Sequence, residues 1–126
     1  MKRFQAVAKR DNVAYFIVSQ LNENRLNDKS RPDKRPTLFD LHGSSYLRNN
    51  CKFALATYYP AKYGEPRTQR DKAWYGDIWA SDPELYGSIM EIWIRKNVLG
   101  PVDVPVWVQI DKSTGLLKSI DLRITL

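Results

Sequence analysis

The sequence predicts an α+β fold in which a mostly antiparallel sheet of about six or seven strands curves into a partial barrel. Three observations support this class. Short segments rich in β-branched and aromatic residues alternate with loops that contain proline or glycine. One longer apolar segment, near residues 82–99, has helix-capping residues at both ends. The chain closes with two strand-like segments around a glycine turn, which is typical of a hairpin.

The first part of the chain is expected to contain a hairpin, a long loop and a short strand. Residues 4–8 and 13–20 flank a polar tetrapeptide, so they are interpreted as an N-terminal hairpin. Residues 22–37 contain two prolines and eight charged residues without apolar periodicity, which favours a solvated loop. Residues 38–42 are a short strand candidate that ends at Gly43.

Two more strands and a second loop are predicted in the middle of the chain. Side chains alternate between two faces over residues 52–59, which places Tyr58 opposite Leu55. Residues 60–72 contain two prolines and a glycine and are interpreted as a loop. Residues 73–80 are the next predicted strand.

The segment near residues 82–99 is predicted to be the one helix of the fold. Asp82 can cap exposed amide groups, Pro83 suits the first helical position, and Gly100 supplies a stop. A strand is the alternative, because apolar residues also alternate over positions 90–95.

The C-terminal hairpin joins residues 104–110 to residues 116–126. Between them lies a pentapeptide whose Gly115 can adopt the positive φ that such turns require. Apolar and polar residues alternate strictly over positions 119–126, which indicates a half-buried antiparallel strand.

Size and composition limit the classes of protein to which the chain can belong. A chain of 126 residues fits a single domain, 1–126. Cys51 is the only cysteine, so no disulfide can form within the chain, and a cytoplasmic location is expected. The longest apolar run, residues 13–18, is too short to cross a membrane. One histidine and one cysteine cannot form a structural zinc site, and no motif indicates a cofactor.

Positive charge is concentrated in the first part of the chain. Residues 1–72 carry 15 Lys and Arg against 7 Asp and Glu, a net charge of +8, whereas residues 73–126 carry 5 against 7, a net charge of −2. Cations clustered near aromatic rings are typical of proteins that bind a phosphate-rich polymer. Interleaved acidic residues leave open that the two basic segments are ordinary solvated loops.

Twelve residues are therefore candidates for contact with nucleic acid. The cations would neutralise phosphates, and three tyrosines that are expected to be exposed would stack on bases. Most of the remaining rings are expected to belong to the core, and Trp93 and Trp107 to the core or to a subunit interface. The candidates are Arg25, Lys29, Arg31, Lys34, Arg35, Tyr58, Lys62, Tyr63, Arg67, Arg70, Lys72 and Tyr75.

The sequence favours a non-enzymatic nucleic-acid-binding module that contacts single strands or the backbone with little sequence specificity. One alternative is a small interaction or inhibitor protein that docks on an acidic or nucleic-acid-binding partner, with homo-oligomers possible. A second alternative is a small metal-independent ribonuclease that uses His42, the only histidine. No Gly-rich phosphate loop or oxyanion motif supports a catalytic reading.

Overall fold

A computed structural model of the chain describes residues 2–40 and 45–122. Within these residues one four-stranded antiparallel sheet has the strand order β1-β2-β3-β4 and is accompanied by five α-helices and two 3-10 turns. The strands are β1 (Phe53–Tyr58), β2 (Ile89–Asn97), β3 (Val104–Ile110) and β4 (Leu117–Ser119). The helices are α1 (Lys2–Asp11), α2 (Glu23–Leu26), α3 (Ser45–Asn50), α4 (Gln69–Ser81) and α5 (Pro83–Tyr86), and the 3-10 turns are Leu38–Asp40 and Pro60–Tyr63.

The predicted α+β class and the antiparallel pairing are confirmed. The described sheet has four strands rather than about six or seven, and the predicted curvature into a partial barrel is not confirmed. The strands predicted over residues 52–59 and 104–110 are present as β1 and β3. The hairpin turn is also as expected: Gly115 has φ +75°, and its amide donates to the carbonyl of Asp111 over 2.6 Å. The half-buried strand predicted over residues 116–126 is shorter, since β4 covers only Leu117–Ser119 and is exposed, and residues 123–126 lie outside the described residues.

The predicted N-terminal hairpin is wrong. Residues 4–8 belong to α1, because Phe4, Val7 and Ala8 recur at helical spacing between charged residues. Residues 13–20 follow as an irregular segment that pairs with no strand. The strand predicted over residues 38–42 is a 3-10 turn over Leu38–Asp40, and its last two residues lie outside the described residues.

The strand predicted over residues 73–80 is instead the larger part of α4. Thr68 is the N-cap, and its Oγ1 accepts a hydrogen bond from the amide of Asp71 over 3.0 Å. Trp74 and Ile78, four residues apart, then pack together against the buried cluster on the sheet. The alternation that indicated a strand is thus also compatible with a helical face.

The helix predicted over residues 82–99 is wrong beyond its first turn. Asp82 caps as expected, since its Oδ1 accepts from the amide of Leu85 over 3.1 Å, but the helix ends at Tyr86. From Ile89 onwards the chain is strand β2, as the alternative interpretation had it. Met90, Ile92 and Ile94 recur at every second position of this segment, and this alternation prevails over the capping signal.

The core lies between the inner face of the sheet and the pair α4 and α5. Tyr75, Tyr86 and Ile89 form its buried cluster. The opposite, outer face is open: Phe53 is 53% and Leu55 65% exposed, so their predicted place in the core is wrong. The smaller alanine face of β1 points inward, where bulky aromatic side chains from α4 and β2 fill the space.

Among the described residues, no helix has the length and apolar character needed to cross a membrane.

Candidate functional site

A buried ion-pair network lies at the centre of the inner face. Arg35 is 2% exposed and donates to Glu91 on β2 from Nε over 2.7 Å and from Nη2 over 2.9 Å. Nη2 also donates to Asp71 on α4 over 2.6 Å. Glu91 further accepts from the Tyr75 hydroxyl and from Trp93 Nε1. One arginine therefore joins the polar loop to both the helix and the sheet.

The network holds its members in fixed protonation states. Burial by itself would lower the pKa of Arg35, but the pairs with Glu91 and Asp71 outweigh it and hold that pKa above its usual value. Burial and the neighbouring Glu91 carboxylate raise the pKa of Tyr75 far above its ordinary range. Arg35 is accordingly a structural cation, and Tyr75 remains a neutral donor.

A second ion cluster folds the segment between α2 and the 3-10 turn. Asp40 is fully buried and accepts from Arg31 Nη1 over 2.6 Å and from Nη2 over 2.7 Å, a bidentate pair. Arg25 Nε and the amide of Thr37 donate to the same carboxylate. Burial raises the pKa of Asp40, but these donors outweigh that effect and hold it well below the ordinary value.

The prediction of a solvated loop over residues 22–37 is therefore wrong in part: residues 23–26 form α2 and Arg35 is buried, whereas residues 27–30 are exposed and irregular as predicted. Its cations Arg31 and Arg35 form ion pairs with buried carboxylates, and Lys34 Nζ donates to the carbonyl of Asp28 over 2.9 Å. Arg31 and Arg35 thus hold their part of the segment against the protein, because each of these two cations has a buried carboxylate within reach.

One cleft in the described part of the chain combines two arginines with two tryptophans. We name it the Arg–Trp cleft; its volume is about 380 Å³. It opens where α4 meets the ends of β2 and β3. It is lined by Arg70, Trp74, Trp93, Arg95, Asp103, Val104 and Pro105.

The side chains of the Arg–Trp cleft form a stack of cations and rings. The indoles of Trp74 and Trp93 lie parallel, with centroids 6.1 Å apart and an interplanar angle of 20°. The guanidinium of Arg95 lies 4.3 Å from the centroid of Trp93, and that of Arg70 lies 5.3 Å from Trp74. Cation–π contacts at these distances hold both guanidinium groups against the rings.

The two arginines differ in how firmly they are held. Arg95 is fixed, since its Nε donates to the carbonyl of Pro36 over 2.7 Å and its Nη1 to Asp103 over 3.0 Å. The side chain of Arg70 is 48% exposed, and its one ion pair, with Asp33, is long at 3.7 Å. Arg95 is thus preorganised, whereas Arg70 is held only by its ring contacts and by one long ion pair and can turn toward a ligand more readily.

A smaller cleft of about 70 Å³ contains several of the predicted residues. Tyr58 and Tyr63 stack in it with centroids 5.5 Å apart, and Lys34 and Arg67 lie at its lining. Tyr58 is only 6% exposed and Tyr75 is completely buried, so their predicted exposure is wrong. Both rings serve the packing around Arg35, whose guanidinium lies 4.7 Å from the centroid of Tyr58.

The other predicted cations are dispersed over the surface. Lys29, Lys62, Arg67 and Lys72 are exposed, and the Nζ atom of Lys62 lies 5.7 Å from the centroid of Tyr63. Of the twelve candidates, Arg70 alone lines the Arg–Trp cleft.

The remaining chemical options find no geometry among the described residues. His42, the basis of the ribonuclease alternative, lies outside them. Within the described part of the chain, no group of three His, Cys, Asp or Glu residues could hold a metal ion.

Three residues that carry the chemistry of the Arg–Trp cleft are not among the twelve predicted site residues. The sequence places Trp74 in the core, Trp93 in the core or at a subunit interface, and Arg95 on the predicted helix. The available signal was the spacing of Trp93 and Arg95, which share a face of β2 only if that segment is a strand.

No family model matches this chain, and no curated protein matches it in sequence. We therefore infer a function from the geometry of the site.

Proposed function

We propose that the protein binds single-stranded nucleic acid through the Arg–Trp cleft, mainly by its phosphates and with little sequence specificity. The observation that carries the proposal is the convergence of Arg70 and Arg95 on one open cleft beside two indoles. Guanidinium groups match phosphate geometry, and aromatic rings offer contact surface to unpaired bases.

Phosphate is the ligand group that these cations favour. Each guanidinium is already paired with an exposed carboxylate, Arg70 with Asp33 and Arg95 with Asp103. Because the side chains of Asp33 and Asp103 are 42% and 67% exposed, water screens both pairs, and a phosphate can replace either carboxylate at modest cost. The exchange keeps each cation paired in the free and in the bound protein.

The ring geometry limits what the site can read. Trp74 and Trp93 stack on each other, so no base can insert between the indoles. Arg95 covers the ring of Trp93, and Arg70 lies beside both rings, 5.3 Å from Trp74 and 5.6 Å from Trp93. Bases would contact only the exposed margin of Trp74, which is partly buried. Weak base contact beside strong phosphate contact leads to low sequence specificity.

Fluorescence anisotropy with labelled single-stranded DNA and RNA tests the proposal. We expect binding whose log K falls linearly with log salt concentration. Arg70→Ala should weaken binding and reduce that slope by about one, because one phosphate contact is lost. Ligand should also change the intrinsic tryptophan fluorescence, since two indoles line the cleft.

Arg10→Ala is the matched control, since it removes the same charge from an exposed pair on α1. It should leave the salt slope unchanged. Equal losses of affinity in the two variants, or no binding at low salt, would reject the cleft as a nucleic-acid site.

A protein partner with an acidic surface is the second candidate. The two carboxylates that already pair with the cleft arginines favour it, because they show that carboxylates fit there. Displacement of labelled oligonucleotide by poly-glutamate at equal charge concentration would support this reading. Displacement by heparin alone would favour phosphate-like or sulfate-like polymers.

A further inference from the structure

The most exposed apolar residues of the described chain lie in the segment between α1 and α2. Residues 13–18, which we call the arm, are an uninterrupted run of six apolar residues. Phe16 is 94% and Val18 99% exposed, whereas Tyr15 and Ile17 between them are 46% and 47% exposed. This alternation has the period of an extended strand with one face toward the protein.

The arm is anchored at both ends but paired with no strand. The amide of Val13 donates to the carbonyl of Ala8 over 3.1 Å, and the amide of Asn22 donates to the carbonyl of Asp40 over 2.6 Å. Between these points the described structure assigns residues 13–20 to no helix or strand. A segment of high strand propensity is therefore presented to solvent without a sheet.

Within the described chain, strand β1 has a partner strand on one side only, and so it can accept an additional strand. It is an edge strand, since only β2 pairs with it among the described residues. Natural edge strands carry charges or proline that prevent pairing with other chains. β1 contains neither, and its Phe53 and Leu55 side chains are exposed beside the open edge.

We infer that the protein forms a two-fold symmetric dimer in which the arm of each copy pairs with the β1 edge of the other. The arm would add a fifth strand to each sheet through backbone hydrogen bonds. Phe16 and Val18, which share one face of the arm, would lie over the apolar outer face near Leu55. Reciprocal exchange uses both open edges, so the assembly closes at two copies.

A second copy fits better than an unrelated partner because the two surfaces match in chemistry. Neither the arm nor β1 contains a charged residue, so their pairing removes no charge from water. The cations of a chain with net charge +6 all lie outside these two segments. This inference does not depend on the proposed nucleic-acid binding.

Sedimentation velocity of the full chain tests the inference at about 100 µM protein, where any dimer of micromolar dissociation constant is populated. The wild type should sediment at twice the chain mass of 14.7 kDa. The double variant Phe16→Lys, Val18→Lys should sediment as a monomer. Its far-ultraviolet circular dichroism spectrum should equal that of the wild type, and it should unfold cooperatively on heating, which shows that it is folded. Leu99→Lys, at a site that is 84% exposed outside the arm, is the matched control and should stay dimeric.

Crosslinking distinguishes exchange from pairing within one chain. In a Cys51→Ser background, Phe16→Cys on one protein and Leu55→Cys on another should form a mixed disulfide when the two are combined. A monomeric wild type, a dimeric arm variant, or an arm variant that fails to fold would overturn the inference. So would a monomer whose arm instead binds vesicles containing phosphatidylserine, which would assign the arm to a membrane surface.

Discussion

At the residue scale, the buried carboxylate of Glu91 is the common hydrogen-bond acceptor of three side chains. It accepts hydrogen bonds from Arg35, Tyr75 and Trp93 while completely buried. We expect Glu91→Gln to lower the free energy of unfolding by about 3–5 kcal/mol, because it leaves the buried charge of Arg35 without its main partner. Urea unfolding followed by circular dichroism measures this loss.

The control for this prediction is Asp11→Asn, which removes one carboxylate from the exposed pair with Arg10. The midpoint of this variant should equal that of the wild type. A Glu91→Gln midpoint that also equals the wild type would show that the network is not buried as described.

Asp40 should make stability depend on acid pH. Its donors, chiefly Arg31, hold its folded-state pKa below the ordinary 3.8, so its contribution is complete above that value and is lost as pH falls toward the folded-state pKa. Asp40→Asn should therefore destabilise the protein at pH 7, and the difference from the wild type should narrow below about pH 4. Urea midpoints at neutral and acid pH measure the difference; a constant difference would contradict the depressed pKa.

At the element scale, the sequence predicted correctly those elements that local patterns determine. β1, β3 and the Gly115 turn were predicted because alternation and turn residues act locally. The sequence predicts a strand where α4 lies and a helix where β2 lies, because each short apolar pattern fits both the helical and the strand period. The burial of Ile89 and Glu91 under α4, a long-range effect, decides between them.

The site was predicted less well than the fold for a related reason. Charge counts indicate how many cations a segment has but not which carboxylates they meet. Arg35 pairs with Glu91, 56 residues away, and no local pattern reveals such a contact. Arg70 lies in the first turn of α4 and not in the predicted loop, but its side chain is still 48% exposed, as a surface cation was expected to be.

Two glycines offer a matched test of the element assignments. Gly115→Ala should destabilise the protein by about 1 kcal/mol, since its φ of +75° strains any residue with a Cβ. Gly76→Ala should stabilise it by about 0.5–1 kcal/mol, because the residue lies inside α4 with no atom within 4 Å of the new Cβ. Thermal melts of both variants measure the two signs. A destabilising Gly76→Ala would argue against helix α4.

At the scale of the whole molecule, net charge and available charge are different quantities. The chain carries +6, yet Arg31 and Arg35 from its most basic segment are neutralised inside the fold. Long-range attraction depends on the total charge, whereas phosphate contact depends on cations that a ligand can reach. The two contributions can be separated by removing negative charge at two different places.

Asp103→Asn and Glu84→Gln each raise the net charge by one. Asp103 is an exposed partner of Arg95 in the Arg–Trp cleft, whereas Glu84 is exposed in the first turn of α5 and does not line that cleft. If phosphate replaces the carboxylate at Arg95, Asp103→Asn should tighten oligonucleotide binding about threefold to tenfold, which corresponds to about 0.7–1.4 kcal/mol. Glu84→Gln should change affinity far less, and anisotropy titrations at one low salt concentration compare the two. Equal gains would mean that overall charge alone attracts the polymer, and the cleft would then lose its role as the phosphate site.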